Sequence, residues 1–123
     1  MDTTSGQGMP HDNKTNTGRY GEALAKAHLE EKGYAILAIN WKHLRGEIDV
    51  IAQSGPTTVF VEVRTRHAET TESAFASITM AKRQKMIAAA HAYLEEHNLP
   101  EDTEWRIDVI AVAIPKYTKP IIA

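Results

Sequence analysis

The stretch that decides the fold runs from residue 46 to residue 66, GEIDVIAQSGPTTVFVEVRTR. Glu47 to Gln53 and Thr58 to Arg66 each alternate with period two, the spacing of half-buried strands, around Ser54-Gly55-Pro56-Thr57. A β-hairpin follows. Pro56 cannot adopt the positive φ of a type I′ turn, so a four-residue loop over Ser54 to Thr57 is expected. A symmetric loop pairs Gln53 with Thr58, sets Asp49 opposite Glu62, and sets Glu47 opposite Arg64. Ile48 and Val50 then share one face with Val59, Val61 and Val63. The other face carries Glu47, Asp49, Ile51, Phe60, Glu62 and Arg64.

Directly opposed side chains have Cβ atoms about 4.5–5.5 Å apart, and like charges at that distance destabilise a sheet unless something neutralises them. Two readings of the polar face stay open. In one, Asp49 and Glu62 hold Mg²⁺ or Mn²⁺, hard cations that take one or two carboxylates and leave other positions to water and phosphate. In the other, Glu47 and Arg64 form a cross-strand ion pair and the remaining acids are solvated. Glu22 bears on the choice, because it continues the apolar stripe of Ala25 and Leu29, an unusual place for an acid without a partner. A favourable helix dipole at the N-terminus is the simpler account of Glu22.

Outward from the hairpin, Asn16 or Thr17 caps a helix running to about Lys32, with Gly33 as its C-terminal stop. Tyr34 to Trp41 reads as a first strand, and Lys42, His43 and Arg45 as part of the turn that follows. His67 to Ser77 is a polar loop. A second helix starts at Ser77 or Thr79 with the stripe Met80, Ile87, Ala90, His91 and Leu94, and ends near Asn98. Trp105 to Ile114 is a last strand stopped by Pro115. The order α-β-β-β-α-β predicts an α/β domain with a mixed sheet flanked by helices.

Residues 1 to 16 are polar and lack apolar periodicity, so they read as a disordered tail before a single domain at 17–123. His11-Asp12 in that tail has no third ligand in reach. The 123 residues suffice for one core, and 14 Lys+Arg against 16 Asp+Glu leave a net charge of −2, with no general attraction to nucleic acid. With no cysteine, disulfide, thiol-redox and Cys-based zinc chemistry are excluded. No apolar run of about 18 residues spans a membrane and no secretory signal is recognisable, so a cytoplasmic location is expected. There is no glycine-rich phosphate loop, and nucleoside triphosphate binding is not expected. Trp41 and Trp105 read as packing residues, as do His28 and His91. Asp108 reads as the partner of Arg106.

The strings Gly21-Glu22 with Ala25 and Leu29, Gly33-Tyr34, Asn40-Trp41, Gly46-Glu47-Ile48-Asp49, Val59 through Arg66, Lys82, and Arg106-Ile107-Asp108-Val109 occur in fixed order over residues 18 to 113. Together they closely resemble the YraN family of small bacterial proteins. That family is similar to the restriction-endonuclease-like superfamily, especially archaeal Holliday-junction resolvases. The resemblance implies a restriction-endonuclease-like core and metal-dependent hydrolysis of DNA phosphodiesters, with branched or damaged DNA as the suggested substrate. It implies Glu22, Asp49 and Glu62 as catalytic acids and ligands for Mg²⁺ or Mn²⁺, with Glu47 as an auxiliary acid.

The superfamily's Glu-x-Lys lysine position holds Arg64, which stays protonated and cannot act as a general base at neutral pH. A nucleic-acid-binding module that has lost turnover is therefore the alternative. Arg64, Arg66, Lys82, Arg83 and Lys85 are the expected phosphate-binding residues. A two-fold homodimer is suggested by resolvase-like cutting of two strands.

Overall fold

The computed structural model describes residues 15–123, so the expected tail and its His11-Asp12 pair lie almost wholly outside the described residues. Helix α1 spans Asn16–Glu31, β1 Ala35–His43, β2 Gly46–Ser54, β3 Thr57–Arg66, α2 Glu72–Ala76, α3 Met80–Glu96, β4 Glu104–Ala113 and β5 Ile121–Ile122. The strands form one sheet in the order β1-β2-β3-β4-β5. Among the described residues only β3 and β4 pair in parallel. This mixed α/β arrangement is the one the element order predicts. The short α2 and the two-residue β5 were not expected, because Glu72-Ser73-Ala74-Phe75-Ala76 and Ile121-Ile122 are too brief to carry a period of their own.

The cap of α1 is Thr15, whose side chain accepts from the Gly18 N–H at 3.1 Å, so Asn16 already lies inside the helix rather than in a tail. At the other helix the expected cap is correct, since the Thr79 hydroxyl accepts from the Lys82 N–H at 3.1 Å. The hairpin loop is shorter than expected. Ser54 pairs with Thr57, leaving Gly55-Pro56 as a two-residue turn. Gly55 takes φ 56° at the first central position and Pro56 follows with its ring-fixed negative φ, a combination that a type II′ turn accepts. The register is unaffected because both loops are symmetric about the same point: Gln53 faces Thr58 and Val50 faces Val61.

Two apolar layers close on the sheet. On the α1 side, Ala25 and Leu29 pack with Val50, Val59, Val61, Val63, Ile110 and Val112. On the α3 side, Ala89, Ala90 and Tyr93 pack with Ile48, Ile51 and Phe60. Ile48 therefore lies opposite Val50, contrary to the expected alternation. The cause is local. Between the pairs Ile39–Val50 and Trp41–Ile48, Asn40 takes φ 51°, a left-handed conformation that asparagine tolerates better than most residues. The same break carries Ala38 and Trp41, three residues apart, into one layer. A second irregularity between Ile36 and Ala38 adds to the bend of this edge strand.

Helix α3 also turns a different face to the sheet than expected. Met86, Ala89, Ala90, Ala92 and Tyr93 are buried, while Met80 and Ile87 are exposed and His91 lies outside the core against the Trp105 ring. A stripe of large side chains loses to one of alanines because the helix backbone comes close to β2. A Cβ on Gly46 would stand 3.1 Å from the Lys85 carbonyl oxygen.

Candidate functional site

At the open end of the β2–β3 hairpin the ladder stops at the Val50–Val61 pair. Beyond it Asp49 and Glu62 are not a ladder pair. Instead an Asp49 carboxylate oxygen accepts the Val63 N–H at 2.8 Å, replacing the lost backbone bond with a charge-assisted one. This contact draws the Asp49 side chain across to β3, where its carboxyl stands close enough to that of Glu62 to raise the Glu62 pKa. Both acids are only 6% exposed.

Two carboxyls in contact and out of water cannot both ionise cheaply. Burial first, and the Asp49 charge second, push the Glu62 carboxyl up to about 7, against the opposing pull of Lys82 and Arg64. Glu62 thus keeps its proton close to neutrality beside a second buried acid, and a cation placed between them would relieve the same repulsion. This donor set fits a hard divalent ion.

The acids stand on the wall of a cavity of about 570 Å³ enclosed by the N-terminal parts of α1 and α3. Glu22, 7% exposed, lines it from α1. Gly21 makes that placement possible: its Cα lies so near Thr65 that a Cβ would stand 1.8 Å from the Thr65 hydroxyl oxygen. Glu22 shares the cavity, yet among the described residues no three His, Asp or Glu side chains converge into a ready-made metal cage. The expected three-acid ligand set is therefore a close pair with a third acid beside it. Glu47 also lines the cavity but is exposed.

Arg64 does not pair with Glu47. Its guanidinium reaches Glu62 at 3.3 Å, donates from Nε to the Ser77 hydroxyl at 3.0 Å and from Nη2 to the Ser77 carbonyl at 3.2 Å. The cross-strand pair expected of Glu47 and Arg64 is lost because the strands diverge before that point. Of the expected basic residues, Arg66, Lys82 and Lys85 line the cavity with Arg64, whereas Arg83 is not part of its wall. Arg45 and His43 are drawn away to the end of α3, where they pair with Glu95 at 2.6 Å and Glu96 at 3.5 Å.

The expectations for the two tryptophans and for Asp108 hold. Trp41 and Trp105 join the α3-side layer through edge contacts with Tyr93 and Phe60, and Arg106 pairs with Asp108 at 3.1 Å. Two residues of the site were missed by sequence reasoning: Thr15, which lines the cavity but precedes the expected domain boundary, and Ser77, which stands behind Arg64 and signals only a helix start.

A mixed sheet between helices, with an acid pair at the frayed end of a hairpin, is an α/β arrangement consistent with the restriction-endonuclease-like type. The family model described as uncharacterised protein family UPF0102 matches residues 21–112, and the chain belongs to that family, the YraN family. Among its relatives, a UPF0102 protein of Chloroflexus aurantiacus is 50% identical over 99 residues, covering 80% of each chain. One from Roseiflexus castenholzii is 45% identical over 101 residues, covering 82% of each. A more distant one from Streptomyces griseus is 36% identical over 104 residues, covering 85% of this chain and 87% of its own. No helix among the described residues is long and apolar enough to cross a membrane.

Proposed function

We propose that the protein is a divalent-metal-dependent endonuclease that hydrolyses DNA phosphodiester bonds, branched or damaged DNA being the suggested substrate. The observation that carries this reading is the pair of buried carboxyls, Asp49 and Glu62, in contact at the wall of a cavity with cationic side chains around it. Asp49 and Glu62 would hold Mg²⁺ or Mn²⁺, which when bound supplies Lewis-acid charge and water of lowered pKa. Asp49 is oriented for that role by the Val63 N–H. Glu22 adds negative potential from the opposite element. Arg66, Lys82 and Lys85 line the cavity and would bind phosphates flanking the scissile one. Arg64 stabilises negative charge on the substrate and accepts no proton. A homodimer would present two such sites to two strands.

The second reading, a nucleic-acid-binding module without turnover, is favoured by one feature. Arg64 stands where the superfamily carries lysine, and its guanidinium already lies against Glu62. The test is a cleavage assay on four-way-junction, flap and linear DNA with Mn²⁺, run beside Asp49→Ala. Metal-dependent cutting abolished by Asp49→Ala supports the nuclease, and cutting that survives both Asp49→Ala and Glu62→Ala rejects it. Salt-sensitive binding with no cutting supports the module.

A further inference from the structure

Arg64 is held more firmly than a surface arginine needs to be. Of five guanidinium N–H donors, three are engaged: Nε with the Ser77 hydroxyl, Nη2 with the Ser77 carbonyl and Nη1 with Glu62. Ser77 is itself fixed, its hydroxyl donating to the Ala74 carbonyl at 2.6 Å. Its backbone ends α2, two residues before the cap of α3. One serine thus grips the guanidinium by two atoms while the strand acid grips it by a third. Arg64 is left 20% exposed in its side chain at the cavity wall, with two donors unspent among the described residues.

We propose that Ser77 is a positioning residue that locks the Arg64 guanidinium beside the acid pair and so makes arginine, rather than lysine, the working cation of this site. The guanidinium is planar and forked, so two contacts to Ser77 fix its plane and aim the remaining N–H groups. An ammonium carries its three donors on one freely rotating nitrogen and holds no plane against the Ser77 hydroxyl and carbonyl. Arg64→Lys in this chain is therefore a loss of orientation and not the restoration of a missing residue. The α2–α3 turn, which carries none of the acids, becomes part of the site through this contact.

The lock is read directly by NMR of the full chain. The Arg64 Nε–H resonance, identified by its disappearance in Arg64→Lys, is expected to be sharp and slow to exchange with water. Ser77→Ala speeds its exchange about tenfold or more, the worth of one hydrogen bond to a charged group, and Ser77→Thr restores it. Should Ser77→Ala fail to fold, Ser77→Cys takes its place, because a thiol is a much weaker acceptor. The kinetic consequence rests on the nuclease reading. On DNA that the wild type cuts with Mn²⁺, Ser77→Ala lowers kcat about tenfold with KM little changed, Ser77→Thr recovers it, and Arg64→Lys does not exceed the wild type.

An Arg64 resonance indifferent to Ser77→Ala overturns the proposal, as does a Ser77→Thr variant that fails to restore it or an Arg64→Lys variant faster than wild type. A wild type that cuts no DNA removes the nuclease reading alone, and the resonance then decides the lock.

Discussion

The two ends of the β2–β3 hairpin are built from the same alternating sequence and do opposite things. At the turn end, Ile51, Ala52, Val59 and Phe60 pair in register and have no exposed surface, so that end is ladder and core. At the open end the ladder is given up, Asp49 takes a backbone N–H for itself, and two carboxyls meet out of water. The turn end derives its stability from apolar area removed from water. The open end spends part of it to keep charge where water is scarce, which is how a site with affinity for a cation is made. The difference lies in the acids the sequence carries at the open end together with the broken alternation beside Asn40.

Substitutions at the two ends should therefore separate function from stability. The largest effect is expected from Asp49→Ala, which removes cation binding measured by calorimetry with Mn²⁺ and lowers cleavage roughly a thousandfold, about 4 kcal/mol of transition-state stabilisation. Phe60→Ala strikes the other end. Denaturant unfolding should show a loss of about 3–5 kcal/mol, while the folded fraction still binds Mn²⁺. A variant set in which both substitutions cost stability and neither touched cation binding would erase the distinction between the ends.

Gly21→Ala tests how the third acid is brought to the cavity. The added methyl meets the Thr65 hydroxyl, so α1 must shift from β3 at a cost of about 1–3 kcal/mol in unfolding free energy. Pairing it with Thr65→Ala should recover part of that loss.

The acid pair also sets a pH dependence. Glu62 ionises in the unfolded chain near its ordinary value of 4.5 and in the folded chain near 7. Below pH 4.5 both states are protonated and the group is neutral to stability. Between 4.5 and 7 the unfolded state releases its proton first, so stability falls with rising pH, by roughly 2 kcal/mol after allowance for solvent screening. Thermal melts from pH 4.5 to 8 should show that fall, Glu62→Gln should flatten it, and saturating Mn²⁺ should offset it at the alkaline end. The smallest effect is expected at the bend itself. Asn40→Val forces a β-branched residue into a left-handed φ and should cost about 1–2 kcal/mol, with Asn40→Gly close to neutral.

Much of this was legible in the chain. The period-two runs on either side of Gly55-Pro56 define the hairpin, and its register follows from symmetry whether the turn holds two residues or four. The proximity of Asp49 and Glu62 follows from that register even though they are not a ladder pair. The side on which Ile48 lies was not legible, because a strand pattern assumes regular backbone and Asn40 breaks it. The face of α3 was misread for a related reason. Large apolar residues look like a core stripe, but the close approach of Gly46 to the Lys85 carbonyl favours alanines over Met80 and Ile87 on this face, beside Met86 and Tyr93.

What the sequence by itself determined is the order of elements, the register of the hairpin and the presence of acids at its open end, because periodicity and turn chemistry are local and short in range. What only the tertiary structure decided is which groups those acids and cations meet. The Val63 N–H holds Asp49, α1 brings Glu22 to the same cavity, and Ser77, thirteen residues from Arg64, takes the guanidinium for which the strand pattern left pairing with Glu47 open. Such contacts depend on where a strand bends and how closely a helix can approach, and both are set by packing across the whole sheet.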